Sequence, residues 1–217
     1  TYNLGDSQGD GSDIFGSILN NIIKYGPSKM SSNGCIRYAG ESIYINKATE
    51  IWIDEVQDLN TSYLYLGEDS KVNHGVVSYG KYKSHIINSL NVFQNKNSEY
   101  NLGSLQFKFD FARLEININQ IEGNAKTNIK GMQLTQDNEQ LSTYAKIAFN
   151  GPNGFLNQLN KSLAKDRSHS VFEGLIVVPQ IAQKTDASQL SRNLLLSNYA
   201  KIDTKPQLEI IADDVRC

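Results

Sequence analysis

The chain has 217 residues, of which 39% are hydrophobic, and its formal net charge at pH 7 is −2. This length is enough for one domain with a hydrophobic core that needs no disulfides. The balanced charge argues against nucleic-acid binding, and no apolar run reaches the ~20 residues that span a membrane. The two cysteines, Cys35 and Cys217, are too few for a self-contained metal site, and they favour a reducing, cytoplasmic-type compartment.

Residues 1–30 are predicted to be a flexible lead-in followed by one short helix. The first part is mostly Gly, Asp, Ser and Gln, with little apolar content. From Asp13 to Tyr25, isoleucines recur at the helical period, and Gly26-Pro27 ends the pattern. Such an apolar stripe suits a helix that covers the open end of a repetitive β-structure.

Residues 31–217 are predicted to form the core domain, and short strand patterns dominate them. The clearest alternation runs from Leu105 through Phe107 and Phe109 to Phe111, and it predicts one strand whose aromatic rings stack in the core. Phe155–Lys165 follows a turn signal and fits either a short helix or an irregular crossing.

Three apolar runs near the C-terminus each predict a buried strand: Leu175–Val178, Leu194–Leu196 and Leu208–Ile211. Their intervals of roughly 15 to 20 residues suit a chain that coils over itself with one strand per turn. At about 20 residues per turn, about eight or nine rungs would form. Pro206 has no N–H to donate and therefore belongs at a strand start or on an edge strand. The predicted fold is a mainly β, parallel solenoid, with a β-sandwich as the alternative.

Few residues belong to a recognisable catalytic or ligand-binding motif. None of the three histidines has a neighbour at metal-ligand spacing, and we expect each of them at the surface or in a hydrogen bond. Gly75–Tyr82 approaches the pattern of a phosphate-binding loop, but Tyr82 replaces the Ser or Thr that holds magnesium, so nucleotide binding is not predicted. The pair Asp213-Asp214 follows the last strand and can close a turn, bind a cation or meet a partner's lysines.

The segment Phe172–Cys217 carries the most specific pattern in the chain, in four clusters: Phe172-x-Gly174-x-Ile176-x-Val178, Thr185-x-Ala187-x-Gln189, Leu194-Leu195-Leu196-Ser197 and Thr204-x-Pro206-x-Leu208-Glu209-Ile210-x-Ala212-Asp213-Asp214-Val215-x-Cys217. This pattern resembles the SufB/SufD family of iron–sulfur cluster assembly proteins, and within that family the SufD members. The resemblance continues more weakly upstream to about Leu105.

The resemblance implies a right-handed parallel β-helix and a scaffold role without enzymatic activity. A SufD-like subunit pairs with SufB and is coupled to the SufC ATPase through a C-terminal helical segment, together forming the SufBCD complex. This sequence ends at Cys217, so we expect it to be the core domain without that segment. The implied location is the cytoplasm, or the plastid stroma of a plant or alga.

The resemblance also implies which residues matter. Cys217 would lie at the SufB interface, where its thiolate ligates iron; the alternative is a cysteine that only packs. No cofactor is expected in the isolated chain, since an iron–sulfur cluster would be held at the interface. A homodimer through the same edge is a further expectation. The predicted partner surface consists of Leu208, Ile210, Asp213, Asp214 and Val215.

The sequence departs from the family pattern at Phe149 and Gly154, where members often carry a histidine and a cysteine. Arg192-Asn193 stands where SufB members carry a cysteine, which favours SufD.

Two other functions stay open because fold alone does not fix function. One is a secreted-type β-helix carbohydrate-active enzyme, and the other is a β-solenoid interaction protein unrelated to cluster assembly.

Overall fold

The computed structural model describes residues 42–45, 50–56, 61–80 and 84–217. The predicted helix at Asp13–Tyr25 and Cys35 lie outside these ranges. Within them the chain forms strands and no helix. The strands are Ser42–Ile45 (β1), Glu50–Val56 (β2), Thr61–Leu66 (β3), Lys71–Tyr79 (β4), His85–Gln94 (β5), Glu99–Phe107 (β6), Phe111–Gln120 (β7), Lys126–Thr135 (β8), Gln140–Phe149 (β9), Phe155–Ala164 (β10), His169–Val178 (β11), Asp186–Leu195 (β12) and Lys201–Ile210 (β13).

The strands form two sheets in which every pair is parallel. The odd-numbered strands β1 to β13 make a seven-stranded sheet, and the even-numbered strands make a six-stranded sheet. Consecutive strands therefore alternate between the sheets, and each strand pairs with the strand two places along the chain. This arrangement is a β-solenoid, which confirms the predicted parallel β-helix. It excludes the antiparallel β-sandwich that we kept as the alternative.

One turn of the solenoid is longer than the predicted 20 residues. Asparagine side chains that bond across adjacent rungs are 26 residues apart for Asn91 and Asn117 and 28 apart for Asn73 and Asn101. Most turns contain two strands of about ten residues and two short corners. The estimate of eight or nine rungs is therefore wrong, because apolar runs recur once per strand and not once per turn.

Stacked inward-facing side chains form the core. Ile118, Ile147 and Ile176 occupy matching positions of β7, β9 and β11 and are at most 1% exposed. The alternation of inward and outward residues along each strand produces this column, since in-register parallel pairing places equivalent residues directly over one another. The β-branched isoleucines suit this half-buried pleated surface.

The corners between strands are tight turns that depend on residues with positive φ. Eight non-glycine residues in the described ranges have φ between 53° and 62°, and all of them lie at corners. Six are Asp or Asn, which tolerate the left-handed conformation better than other L-residues. Hydroxyls close several of these turns: Ser70 and Ser98 each donate to the carbonyl three residues earlier, at 2.7 Å.

The predictions for two segments are wrong, because a corner in the first and polar core residues in the second concealed the strand pattern. The single strand predicted from Leu105 to Phe111 is broken at Lys108, which has a φ of 61°. Phe107 ends β6, Phe109 lies buried in the corner, and Phe111 begins β7 with 37% exposure, so the rings form no continuous core stack.

The segment Phe155–Lys165 is neither a helix nor an irregular crossing, since nearly all of it is β10. Its inward positions alternate strictly, but three of them carry polar side chains, which concealed the strand pattern from the sequence. These inward residues are Leu156, Gln158, Asn160, Ser162 and Ala164.

Residues Gly75–Tyr79 lie within β4. A phosphate-binding loop requires consecutive backbone N–H groups that are free to face a ligand, whereas here the backbone pairs with β2 and β6. The paired backbone of residues 75–79 therefore forms no such loop, and Tyr82 lies outside the described residues.

We expect Ile147→Ala to lower the free energy of unfolding by about 2–5 kcal/mol, because it removes a fully buried side chain from the middle of the sheet. Urea denaturation measures the change. Ile87→Ala is the matched control; Ile87 is 55% exposed, and its loss should cost about 0.5 kcal/mol or less. Equal shifts for the two variants would contradict the core described above.

Glu139 closes the corner between β8 and β9, where its carboxylate accepts the backbone N–H of Gln136 at 2.9 Å. Partial burial raises the pKa of Glu139, and the charges of Asp137 and Asp110 add to that rise, while the Gln136 bond and Lys108 oppose it. The native state therefore holds this proton more tightly than the unfolded chain does.

The raised pKa of Glu139 means that stability falls as pH rises from the unfolded glutamate pKa through the native value. We expect Glu139→Gln to reduce this decline, as measured by the thermal midpoint between about pH 4 and pH 7. Glu209→Gln, which changes an exposed carboxylate, should leave the wild-type pH profile intact. If Glu139→Gln steepens the decline instead, the assigned direction is incorrect.

Candidate functional site: the uncovered end of the solenoid

The last turn of the solenoid leaves two strand edges open. β13 pairs only with β11, and no strand in the described chain covers its other edge. β12 pairs with β10, and on its other side it meets only the short stretch around Arg216. There the N–H of Ala187 donates to the carbonyl of Arg216 at 2.8 Å. Open parallel edges present unpaired N–H and C=O groups that another chain can join.

The inward-facing side chains of this last turn are exposed instead of buried. Leu208 and Ile210 lie in register with Ile176 and Val178, both of which are 0% exposed. Leu208 itself is 52% exposed and Ile210 is 40% exposed, because no further rung covers them. The predicted partner residues Leu208 and Ile210 thus lie together at the end of the solenoid.

Sequence reasoning missed much of the apolar surface around these two residues. The predicted strands at Leu194–Leu196 and Leu208–Ile211 largely coincide with β12 and β13, but they are not buried. The reason is their position at the end of the stack, which no local pattern encodes. The consecutive Leu194-Leu195-Leu196 was the available signal, since three adjacent leucines cannot all point inward. The exposed apolar side chains at this end are Ile181, Leu190, Leu194, Leu195, Leu196, Tyr199, Leu208, Ile210 and Ile211.

Polar features of β13 limit nonspecific pairing at its edge. Pro206 lies within this edge strand, as predicted, and contributes no N–H to a new ladder. Lys201 and Lys205 add charge, which discourages indiscriminate strand addition. On the outer face, His169 bonds to Asp203 at 2.7 Å and ties β13 to β11.

The prediction that each histidine lies at the surface or in a hydrogen bond is confirmed for all three. His169 bonds to Asp203, and His74 bonds to the Tyr100 hydroxyl at 2.7 Å inside the solenoid. The third, His85, is exposed at the start of β5.

Asp213, Asp214 and Val215 lie beside the last turn and continue the stack of corners. The Asp213 carboxylate accepts a bond from Gln180 Nε2 at 3.0 Å, and the Asp214 N–H donates to Gln183 Oε1 at 2.9 Å. Both aspartates are exposed, so closing a turn is the role that their contacts support. Val215 is partly buried against the core.

Cys217 lies at the end of this stretch with an exposed, free thiol. Partial burial raises the pKa of the Cys217 thiol, an effect that the nearby Asp186 charge increases and a hydrogen bond from the Ala187 backbone opposes. At neutral pH the group is therefore mainly the protonated thiol, which must lose its proton before it can bind a metal.

The chain does not offer a complete metal site of its own in the part that the structure describes. No group of three or more His, Cys, Asp or Glu side chains there is arranged to hold a metal ion. Cys217 supplies a single sulfur ligand, whereas an iron–sulfur cluster takes about four protein ligands. Any cluster in contact with Cys217 would need ligands beyond those that the described residues provide.

The chain matches the family model described as "SUF system FeS cluster assembly, SufBD core domain" over residues 40–217. It is 36% identical over 156 residues to an iron–sulfur cluster assembly SufBD family protein of Synechocystis sp.. It is also 31% identical over 151 residues to the chloroplastic protein ABCI7 of Arabidopsis thaliana, and 43% identical over 101 residues to SufD of Escherichia coli.

These matches cover 72%, 69% and 45% of this chain, respectively, but only 34%, 32% and 23% of the relatives. The chain therefore matches about a third or less of the length of these relatives. Among the described residues, no helix has the length and hydrophobicity needed to cross a bilayer. The match to the family model spans most of the sequence and the solenoid built from it, so the chain belongs to the SufBD core domain family of the SUF iron–sulfur cluster assembly system.

Proposed function

We propose that this chain is the core domain of a SufD-like scaffold subunit that pairs with a SufB-like paralogue and catalyses no reaction of its own. The observation that carries this proposal is the uncovered last turn, where two open strand edges surround exposed inward-facing leucine and isoleucine side chains. The SufD relative from Escherichia coli supports the SufD-like assignment.

A partner would gain both backbone hydrogen bonds and apolar burial at this end. A partner strand added to the edge of β13 would satisfy backbone groups that now face water. The same partner would cover Leu195, Leu208 and Ile210, each of which would gain up to about 1.5–3 kcal/mol from full burial. Backbone pairing and apolar burial therefore favour the same mode of association.

Family membership supports the proposed partners and location. The SufC-like ATPase would dock through a C-terminal helical segment, and the iron–sulfur cluster would be cargo held between this subunit and its SufB-like partner. Cys217 would contribute one ligand to that shared site. The cytoplasm suits a bacterial source, and the plastid stroma suits a plant or alga, as the chloroplastic relative indicates.

The structure gives little support to a carbohydrate-active enzyme. Such an enzyme needs a pair of carboxylates that flank a substrate, about 5 to 9.5 Å apart. The neighbouring aspartates 213 and 214 instead take part in the corner that follows β13. A homodimer would use the same end of the solenoid, so it competes with the SufB-like partner for one surface.

We expect the full-length protein to co-purify with SufB-like and SufC-like proteins from the same organism. Ile210→Asp should weaken the SufB-like association at least about 10-fold, because it places a charge where an apolar contact forms. Ile87→Asp, which changes an exposed residue on an early strand, is the matched control and should bind normally. No association for the wild type, or equal binding of the two variants, contradicts the proposal. Size-exclusion chromatography of the chain alone reports whether it forms a homodimer.

Cys217→Ala should lower the iron and sulfide bound by the anaerobically reconstituted complex, because it removes one ligand of the shared site. Iron and sulfide content per complex and the visible absorption of the cluster measure the change. Cys35→Ala is the control that removes the other cysteine of the chain. Unchanged cluster content in Cys217→Ala would assign this residue a packing role.

A further inference from the structure

One inward-facing column of the solenoid changes from apolar to polar toward the C-terminal end. On the inner face of the six-stranded sheet, Ile129 is followed by Gln158 and then Gln189 at matching positions of successive rungs. On the opposite sheet, the column of Ile116, Ala145 and Gly174 loses side-chain volume in the same direction. Amides on one wall thus take up the volume that the other wall no longer fills.

Gln189 uses the space that the missing side chain of Gly174 provides. A Cβ atom placed on Gly174 would lie 2.0 Å from Gln189 Nε2, so the amide reaches across to the opposite sheet. The same Nε2 donates to Gln158 Oε1 at 3.0 Å. The polar interior is therefore a built feature in which glycine and amide positions match.

Gln133 is a deeply buried amide with an unmet hydrogen bond. Its side chain is 1% exposed, and its Oε1 accepts bonds from the hydroxyls of Ser162 at 3.3 Å and Ser170 at 3.2 Å. Its Nε2 has no hydrogen-bond partner among the described residues. Both serines are 0% exposed, so bulk water does not reach this cluster.

Exchanging the positions of Oε1 and Nε2 in the Gln133 amide does not give both atoms a hydrogen-bond partner. The Nε2 group would then face the two serine hydroxyls, which can accept, and Oε1 would take the unpaired position. In either orientation one strong polar atom of a buried amide is left without a protein partner.

Asn160, one rung away, repeats this situation. It is 2% exposed, and its Nδ2 lacks a hydrogen-bond partner within the described part of the chain. Its Oδ1 lies 2.7 Å from the position that a Cβ on Gly131 would occupy, and the Ser104 hydroxyl lies 3.3 Å from the same position. Gly131 thus separates two polar side chains on neighbouring rungs.

We propose that the interior of the solenoid binds at least two ordered water molecules, one that accepts from Gln133 Nε2 and one that accepts from Asn160 Nδ2. Buried polar groups in native proteins are almost always paired, and enclosed water is their usual partner where side chains do not suffice. Polar groups surround both amides: Ser162 and Ser170 bond to Gln133 at its Oε1, and the Ser104 hydroxyl lies across Gly131 from Asn160 Oδ1. This hydrated interior is independent of the proposed assembly partners.

Magnetic relaxation dispersion of water on the purified chain counts internal waters with long residence times. The wild type should show at least two. Gln133→Met, which keeps the shape but removes the amide, should lose one, and Asn160→Leu should lose one. Gln106→Met is the matched control, because Gln106 lies one rung before Gln133 and its Nε2 already donates to Thr143 at 2.8 Å. It should keep the wild-type count.

Absence of long-lived water in the wild type would overturn the proposal, as would an undiminished count in both variants. Circular dichroism checks that each variant is folded, and a variant that fails this check leaves the other variant and the wild-type count to decide. A high-resolution crystal structure of the wild type gives a second test. Water density within hydrogen-bonding distance of both amide nitrogens is expected, and its absence at both would refute the proposal.

Discussion

Parallel pairing between segments one full turn apart in the chain is the constraint on which this structure depends. Because β7, β9 and β11 pair in register, equivalent residues stack directly, and Ile118, Ile147 and Ile176 become one buried column. The same register stacks the corners, where residues such as Asn97 and Asn124 adopt positive φ at corresponding places. The sheets, the core and the turns therefore all result from the same in-register stacking of each turn on the one before it.

This constraint also explains why the proposed partner surface lies at an end. Every interior rung is covered on both sides, so its inward side chains are buried and its backbone groups are paired. The last rung has only one neighbour, and Leu208 and Ile210 remain exposed although their positions are equivalent to buried ones. A solenoid can therefore bind a partner wherever its stack of rungs ends, because the last rung is uncovered there. Pro206 and the two lysines of β13 restrict which chain can join there.

The residues of the interior also constrain the register of neighbouring rungs. The interior holds apolar columns and also buried amides, among them Gln133, Gln158 and Asn160, all at most 2% exposed. Buried amides demand specific partners and so fix the positions of neighbouring rungs more strictly than aliphatic packing does. A rung that carries them cannot slip in register without breaking hydrogen bonds such as that between Gln158 and Gln189.

The sequence by itself determined that this is a parallel β-solenoid of the SufB/SufD family, since the dense motif from Phe172 to Cys217 and the short apolar runs both point to it. It also restricted Pro206 to a strand start or an edge strand, and the structure shows the edge strand. It did not determine the length of a turn, because apolar runs report strands and cannot say which sheet a strand joins. It missed β10, whose inward Gln158, Asn160 and Ser162 look like surface residues to any pattern based on hydrophobicity.

Only the tertiary structure decided which apolar residues are exposed. Local sequence does not distinguish Ile176 from Leu208, since both lie in short apolar strands at matching register positions, yet the first is fully buried and the second is 52% exposed. The difference is whether another rung lies above, which is a property of the stack. Burial, the open edges and the pairing of buried amides all arise from contacts between residues about 26 to 31 positions apart, and local sequence carries no direct record of such contacts.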